Sequence, residues 1–143
     1  MIIAKCSVTG TADAPNFRQD IRCGKHVLVA DEHALLGGKN VGPAPFEYLL
    51  SSLGACTSIT LRMYAQRKGW DIGTVQVELS MQQDEAKVKS IERRVTVSGA
   101  LSTEQQQKLA EVCERTPVTL VVKSGVGIRT TLAPADSAPP TSQ

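Results

Sequence analysis

Apolar residues recur along the chain with two different periods. Val75, Val77, Leu79 and Met81 alternate with polar residues, and Ile91, Arg93, Val95 and Val97 repeat that spacing. A period of two is the signature of a strand. The pair reads as an antiparallel hairpin around a polar loop at 84–89. Toward the N-terminus, Ile2, Ala4, Cys6 and Val8 fall on one side of an extended segment, with Cys6 in its core-facing row. A turn at "TADAPN" leads to Phe17, Ile21 and Cys23, again at even spacing, and Gly24-Lys25 turns the chain into a third strand, "HVLVAD". Residues 32–44, rich in Gly and Pro, read as a loop.

The second period is helical. A long helix is expected from Pro45, a residue suited to a first helical turn, to just before Gly69. A second covers "STEQQQKLAEVCER", where Ser102 and Gln105 have the spacing of a capping box. "SGVGIRTTL" predicts a last strand. The order is strands, long helix, strands, helix, strand. Strands and helices segregate rather than alternate, so the class is α+β. Residues 1–132 form a single domain in this reading. The Pro- and Ser-rich segment 133–143 is expected to be a disordered tail.

Composition narrows the function. The chain has 143 residues, 41% of them hydrophobic but only 3% aromatic, so the core is aliphatic. A formal net charge of +2, with basic residues scattered and no basic-aromatic stripe, argues against nucleic acid as a partner. No apolar run approaches the roughly 20 residues that span a bilayer, so no membrane association is expected. The start "MIIAKCSVTG" lacks the pattern of a secretory signal, which leads to a cytoplasmic protein. Cys6, Cys23, Cys56 and Cys113 are then expected to rest as thiols. None of their spacings suits a zinc site, and His26 and His33 flank no cysteine pair, so neither a metal nor another cofactor is expected.

Cys56 lies inside the long helix. Leu49, Leu53, Cys56, Thr60 and Met63 share one face, the main apolar stripe of a helix expected to be central and buried. Ser51, Ser52, Gly54 and Ala55 are small enough to admit another backbone closely. A cysteine here can be a small buried hydrophobe. A reactive one needs a cation brought from elsewhere in the fold, because the site is well past the first helical turn and apolar surroundings disfavour a thiolate.

The stretch "GGKNVGPAPFEYLLSSLGACTSITLRMYAQRKGW" (37–70) resembles the signature region of the OsmC/Ohr family of thiol-dependent hydroperoxide reductases. The resemblance rests on a Gly-rich loop, a proline at the helix start, a carboxylate one turn in, and "LGAC" followed by Thr and Ser. It implies an intertwined homodimer with antiparallel sheets packed around a long central helix and two sites at the interface, built from both chains. It further implies a role in the antioxidant stress response, with Cys56 as the peroxidatic thiol. That thiol reduces a small organic hydroperoxide to an alcohol and becomes a sulfenic acid. The sulfenic acid condenses with a second thiol, and a dithiol reductant resets the pair. The family's arginine comes from the N-terminal strand region, where Arg18 falls nearest and Arg22 is the substitute. The carboxylate is Glu47, one residue later than in the peroxidase branch, where Phe46 stands instead; in a straight helix that turns it away from Cys56. The family's resolving cysteine directly precedes Pro-Val, a place held here by Thr116. Cys113, three residues earlier, is either a displaced resolving thiol or a core side chain beside Leu109 and Val112, and Cys23 is another possible partner. Two further readings stay open beside the enzyme: a non-catalytic dimer that binds a small hydrophobic ligand, and a structural dimer in which Cys56 is filler.

Overall fold

The computed structural model describes residues 1–134. Three short strands, β1 (Ser7–Thr9), β2 (Gln19–Cys23) and β3 (His26–Ala30), form an antiparallel sheet in the order β1-β2-β3. The Gly24-Lys25 turn sets the β2–β3 register, with Cys23 opposite His26 and Ile21 opposite Leu28. A single 3₁₀ turn over Ala34–Leu36 punctuates the loop that follows. That loop is organised by Asp31, a buried carboxylate that accepts the backbone N–H groups of Glu32, Lys39 and Val41.

The long helix, α1, spans Pro45–Lys68, as its periodicity and its proline predict. Glu47 Oε1 accepts the Ala44 N–H at 3.0 Å and so satisfies one of the helix's free N-terminal donors. Gly69 ends the helix in the left-handed region, φ 70°, and its N–H returns to Ala65 and Gln66. The second sheet is the predicted hairpin, β4 (Val75–Gln83) and β5 (Lys89–Val97). Its inward row pairs Val75 with Val97, Val77 with Val95, Leu79 with Arg93 and Met81 with Ile91. Gly54 of α1 faces this row: a Cβ there would lie 2.8 Å from Leu79 Cδ1. The small residue lets α1 settle onto β4.

Helix α2 (Thr103–Cys113) starts with the predicted box, Ser102 accepting from Gln105 N and Gln105 reaching back to Ser102 N. The principal core lies where α1 meets the hairpin and α2. Leu61, Ala65, Ile72, Leu109, Val112 and Cys113 are buried there, with Tyr64 and Trp70 at its edge.

Three expectations are corrected. Cys6 and Cys23 are not thiols but a disulfide, with Cα atoms 4.4 Å apart. Ser7 pairs with Arg22, so the two cysteines occupy the next rung outward, where opposed side chains meet. Cys6 is exposed rather than core. The segment after α2 holds a further helix, α3 (Pro117–Ser124), because Thr116 caps it and Pro117 takes its first position. The predicted last strand forms no ladder among the described residues; Val126, Ile128 and Leu132 are exposed there. Finally, α1 is buried on one side only. Its covered stripe is Leu53, Thr57, Leu61 and Ala65, one step around the helix from the predicted one. Residues 135–143, most of the expected tail, lie outside the described residues.

Candidate functional site

Each residue of an α-helix advances about 100° around its axis. On α1 that places Leu49, Ser52, Cys56, Ile59 and Met63 together, turned away from the core. Leu49, Ile59 and Met63 are exposed at 38%, 54% and 51%. Cys56 is half-buried among them, its Sγ 4.0 Å from Thr60 Oγ1. No charged side chain interrupts the stripe over these nearly four turns. An uncharged helix face of this length is unusual on a surface meant for water.

The buried side of the same turn carries a cation that sequence reasoning did not single out. Arg93 occupies the apolar row of β5, and its guanidinium passes beneath α1. Nη1 donates to Thr57 Oγ1 at 3.0 Å and to Thr119 Oγ1 at 2.8 Å; Nη2 donates to the Cys113 carbonyl at 2.9 Å. Glu114 Oε1 lies 3.6 Å from Nη2, and Lys123 pairs with the other oxygen of Glu114. The carboxyl of Glu114 is held below its usual range, first by the Lys123 hydrogen bond and also by Arg93. One fork thus ties α1, α2 and α3 to the hairpin. A sequence signal for this existed: an arginine in the inward row of an otherwise aliphatic strand needs buried acceptors.

The predicted site residues are dispersed. Arg18 donates from Nη2 to Asp20 Oδ1 at 3.3 Å on the N-terminal sheet, and its charge also helps hold the Asp31 carboxyl ionised. Arg22 is exposed on β2. Glu47 sits at the foot of α1, on the side opposite Cys56, capping its own helix and lying 3.1 Å from His33 Nε2. Cys113 packs in the core beside Leu109 and Val112. Burial pushes its thiol up, only partly opposed by Arg93. Thr116 is fully buried, its Oγ1 2.6 Å from Thr119 Oγ1. The structure therefore gathers Thr57, Arg93, Thr116 and Thr119 into one polar cluster, and leaves Cys56 on the open flank of α1, about 100° around the axis from Thr57.

Between α1, the hairpin and α3 lies a cavity of about 540 Å³. Leu49, Leu53, Met81, Ile91 and Val122 form its apolar walls, and Arg93 lines its polar side. Leu49 belongs both to this cavity and to the Cys56 stripe. Among the described residues, no helix is long and apolar enough to cross a membrane.

Residues 37–131 match the sequence model of the OsmC family, described as OsmC-like protein. No curated protein matches the chain in sequence. Several solved structures share the fold. The OsmC-like protein from Mycoplasma pneumoniae superposes with a TM-score of 0.71 at 16% identity, over 85% of this chain and 88% of that one. An organic hydroperoxide resistance protein OsmC from Legionella pneumophila gives 0.65 at 16%, over 87% and 91%. An organic hydroperoxide resistance protein from Elizabethkingia anophelis gives 0.62 at 20%, over 87% and 91%.

Proposed function

Because the chain belongs to the OsmC-like protein family, we propose that it reduces organic hydroperoxides, with Cys56 as the attacking thiol at an interface between two copies. The observation that carries this reading is the uncharged stripe of α1, in which Cys56 is half-buried among exposed Leu49, Ile59 and Met63. A second copy laid on that stripe excludes water from the sulfur and gives the carbon skeleton of an organic peroxide an apolar wall. The hydroperoxide resistance named for the Legionella and Elizabethkingia proteins supports the substrate class.

The extended segment 125–132 supports a pairing between copies. Its alternating Val126, Ile128 and Leu132 are exposed and make no ladder among the described residues, where the three-stranded N-terminal sheet has open edges. A partner's edge satisfies both, which gives the intertwined dimer. The residues of 1–132 act as one domain in this arrangement.

The chemistry is a two-electron transfer. The Cys56 thiolate attacks the terminal oxygen of the peroxide, the S–O bond forms as the O–O bond breaks, and the alkoxide leaves with a proton as an alcohol. The test is consumption of cumene hydroperoxide by purified protein with dithiothreitol present. The wild type is expected to consume it catalytically and Cys56→Ser to fall to the uncatalysed rate. Equal rates in the two proteins would leave a dimer that only binds hydrophobic ligands.

A further inference from the structure

The four cysteines of the chain occupy three environments. Cys6 and Cys23 are already joined to each other. Cys113 is 7% exposed and packs with Leu61, Leu109 and Val112. Cys56 alone is a free thiol with access to solvent. Leu61 belongs to the covered stripe of α1 and Cys56 to the open one, about 140° apart around the axis at 100° per residue. The body of α1 therefore stands between the two free thiols. A helix with its side chains is about 10 Å across, whereas disulfide-bonded residues have Cα atoms within about 7 Å. A second copy brings the same cysteines in the same environments.

We infer that Cys56, once oxidised, is reset by a small thiol from outside the protein rather than by any cysteine of its own chain. This rests on the reading that Cys56 attacks hydroperoxides. The oxidised species is Cys56 sulfenic acid. The sulfur of a low-molecular-weight thiol attacks it; an S–S bond forms, the S–O bond breaks, and the hydroxide leaves with the thiol's proton as water. A second molecule of thiol attacks that mixed disulfide, returning Cys56 as a thiol and releasing a small-molecule disulfide. Small size follows from the setting. The sulfur is half-buried, 4.0 Å from Thr60 Oγ1, on the face that the proposed second copy covers, a setting that favours a small thiol over a folded reductase. The core position of Cys113 has a consequence of its own: its thiol is held protonated by burial, and so is a poor attacker even were it nearer.

The test uses the wild-type protein with its Cys6–Cys23 bond intact. One equivalent of cumene hydroperoxide is added without any thiol, dimedone is added to one portion and 2-mercaptoethanol to another, and the cysteine-containing peptides are mapped by mass. The expected result is a dimedone adduct on Cys56 in the first portion. The second is expected to show a mercaptoethanol disulfide on Cys56, then the free thiol as the reagent is raised. A disulfide joining Cys56 to Cys113, Cys6 or Cys23, within or between chains, or to the Cys56 of a second copy, overturns the inference while sparing the hydroperoxide reading. So does a sulfenic acid that 2-mercaptoethanol fails to remove. A Cys56 that remains a free thiol after the peroxide overturns both.

Discussion

Arg93 is the residue on which the packing of the helices turns. Its side chain is only 12% exposed and it serves acceptors on three helices or their ends. Removing the guanidinium leaves Thr57, Thr119 and the Cys113 carbonyl without their charged donor, a loss of about 3 kcal/mol for buried acceptors deprived of a charged hydrogen-bond partner. Arg93→Met is therefore expected to lower the urea midpoint by that equivalent, with Arg93→Lys recovering only part, since an ammonium lacks the planar fork. A change within about 0.5 kcal/mol, the range of an ordinary surface substitution, would show the network to be incidental. Asp31 governs the loop before α1 in a similar way. Burial works to raise its pKa, but the three N–H donors outweigh it and, with Arg18, lower the folded value. A lowered carboxylate pKa contributes stability above the unfolded value, near 4, that is lost as pH falls toward the folded one. Asp31→Asn should flatten the acid limb of the stability curve below about pH 4, read by circular dichroism melts; an unchanged slope would remove Asp31 from that role.

At the scale of elements, α1 has two faces with separate tasks. The covered one, Leu53, Thr57, Leu61 and Ala65, holds the helix to the hairpin. The open one carries Cys56. Pro45 and Gly69 marked the ends of the helix in the sequence, and the hairpin and the α2 box were also legible. Periodicity did not decide which side of α1 is covered, because Leu53 borders both stripes and Thr57 looks polar in sequence yet is buried by an arginine from another element. The Cys6–Cys23 bond was invisible for a related reason: it depends on the β1–β2 register, a non-local quantity. Segment 125–132 alternates like a strand, but a strand needs a partner, and this segment pairs with none of the described strands. Ile59→Asp tests the open face. If a second copy covers it, the charge should weaken self-association at least about tenfold, about 1.4 kcal/mol, by sedimentation velocity, while the melting temperature of the isolated chain holds. Undiminished association would place the interface elsewhere.

For the molecule as a whole, the arrangement is a rigid aliphatic core on one side of α1 and a chemically distinctive, uncovered face on the other. The buried core is built from residues of this one chain; the second copy proposed above would cover the open face and pair segment 125–132. The likeness to solved OsmC-like structures, with a TM-score of 0.71 for the Mycoplasma protein, establishes the fold at low sequence identity, so the chemistry has to be read from Cys56 itself. The most direct measurement is a count of free thiols per chain before and after one equivalent of tert-butyl hydroperoxide, with no reductant present. The folded protein has two free thiols, Cys56 and Cys113. The expected outcome is a fall from two to one in the wild type and no change in Cys56→Ser. An unchanged count in the wild type, or a loss in Cys56→Ser, would contradict Cys56 as the reacting thiol.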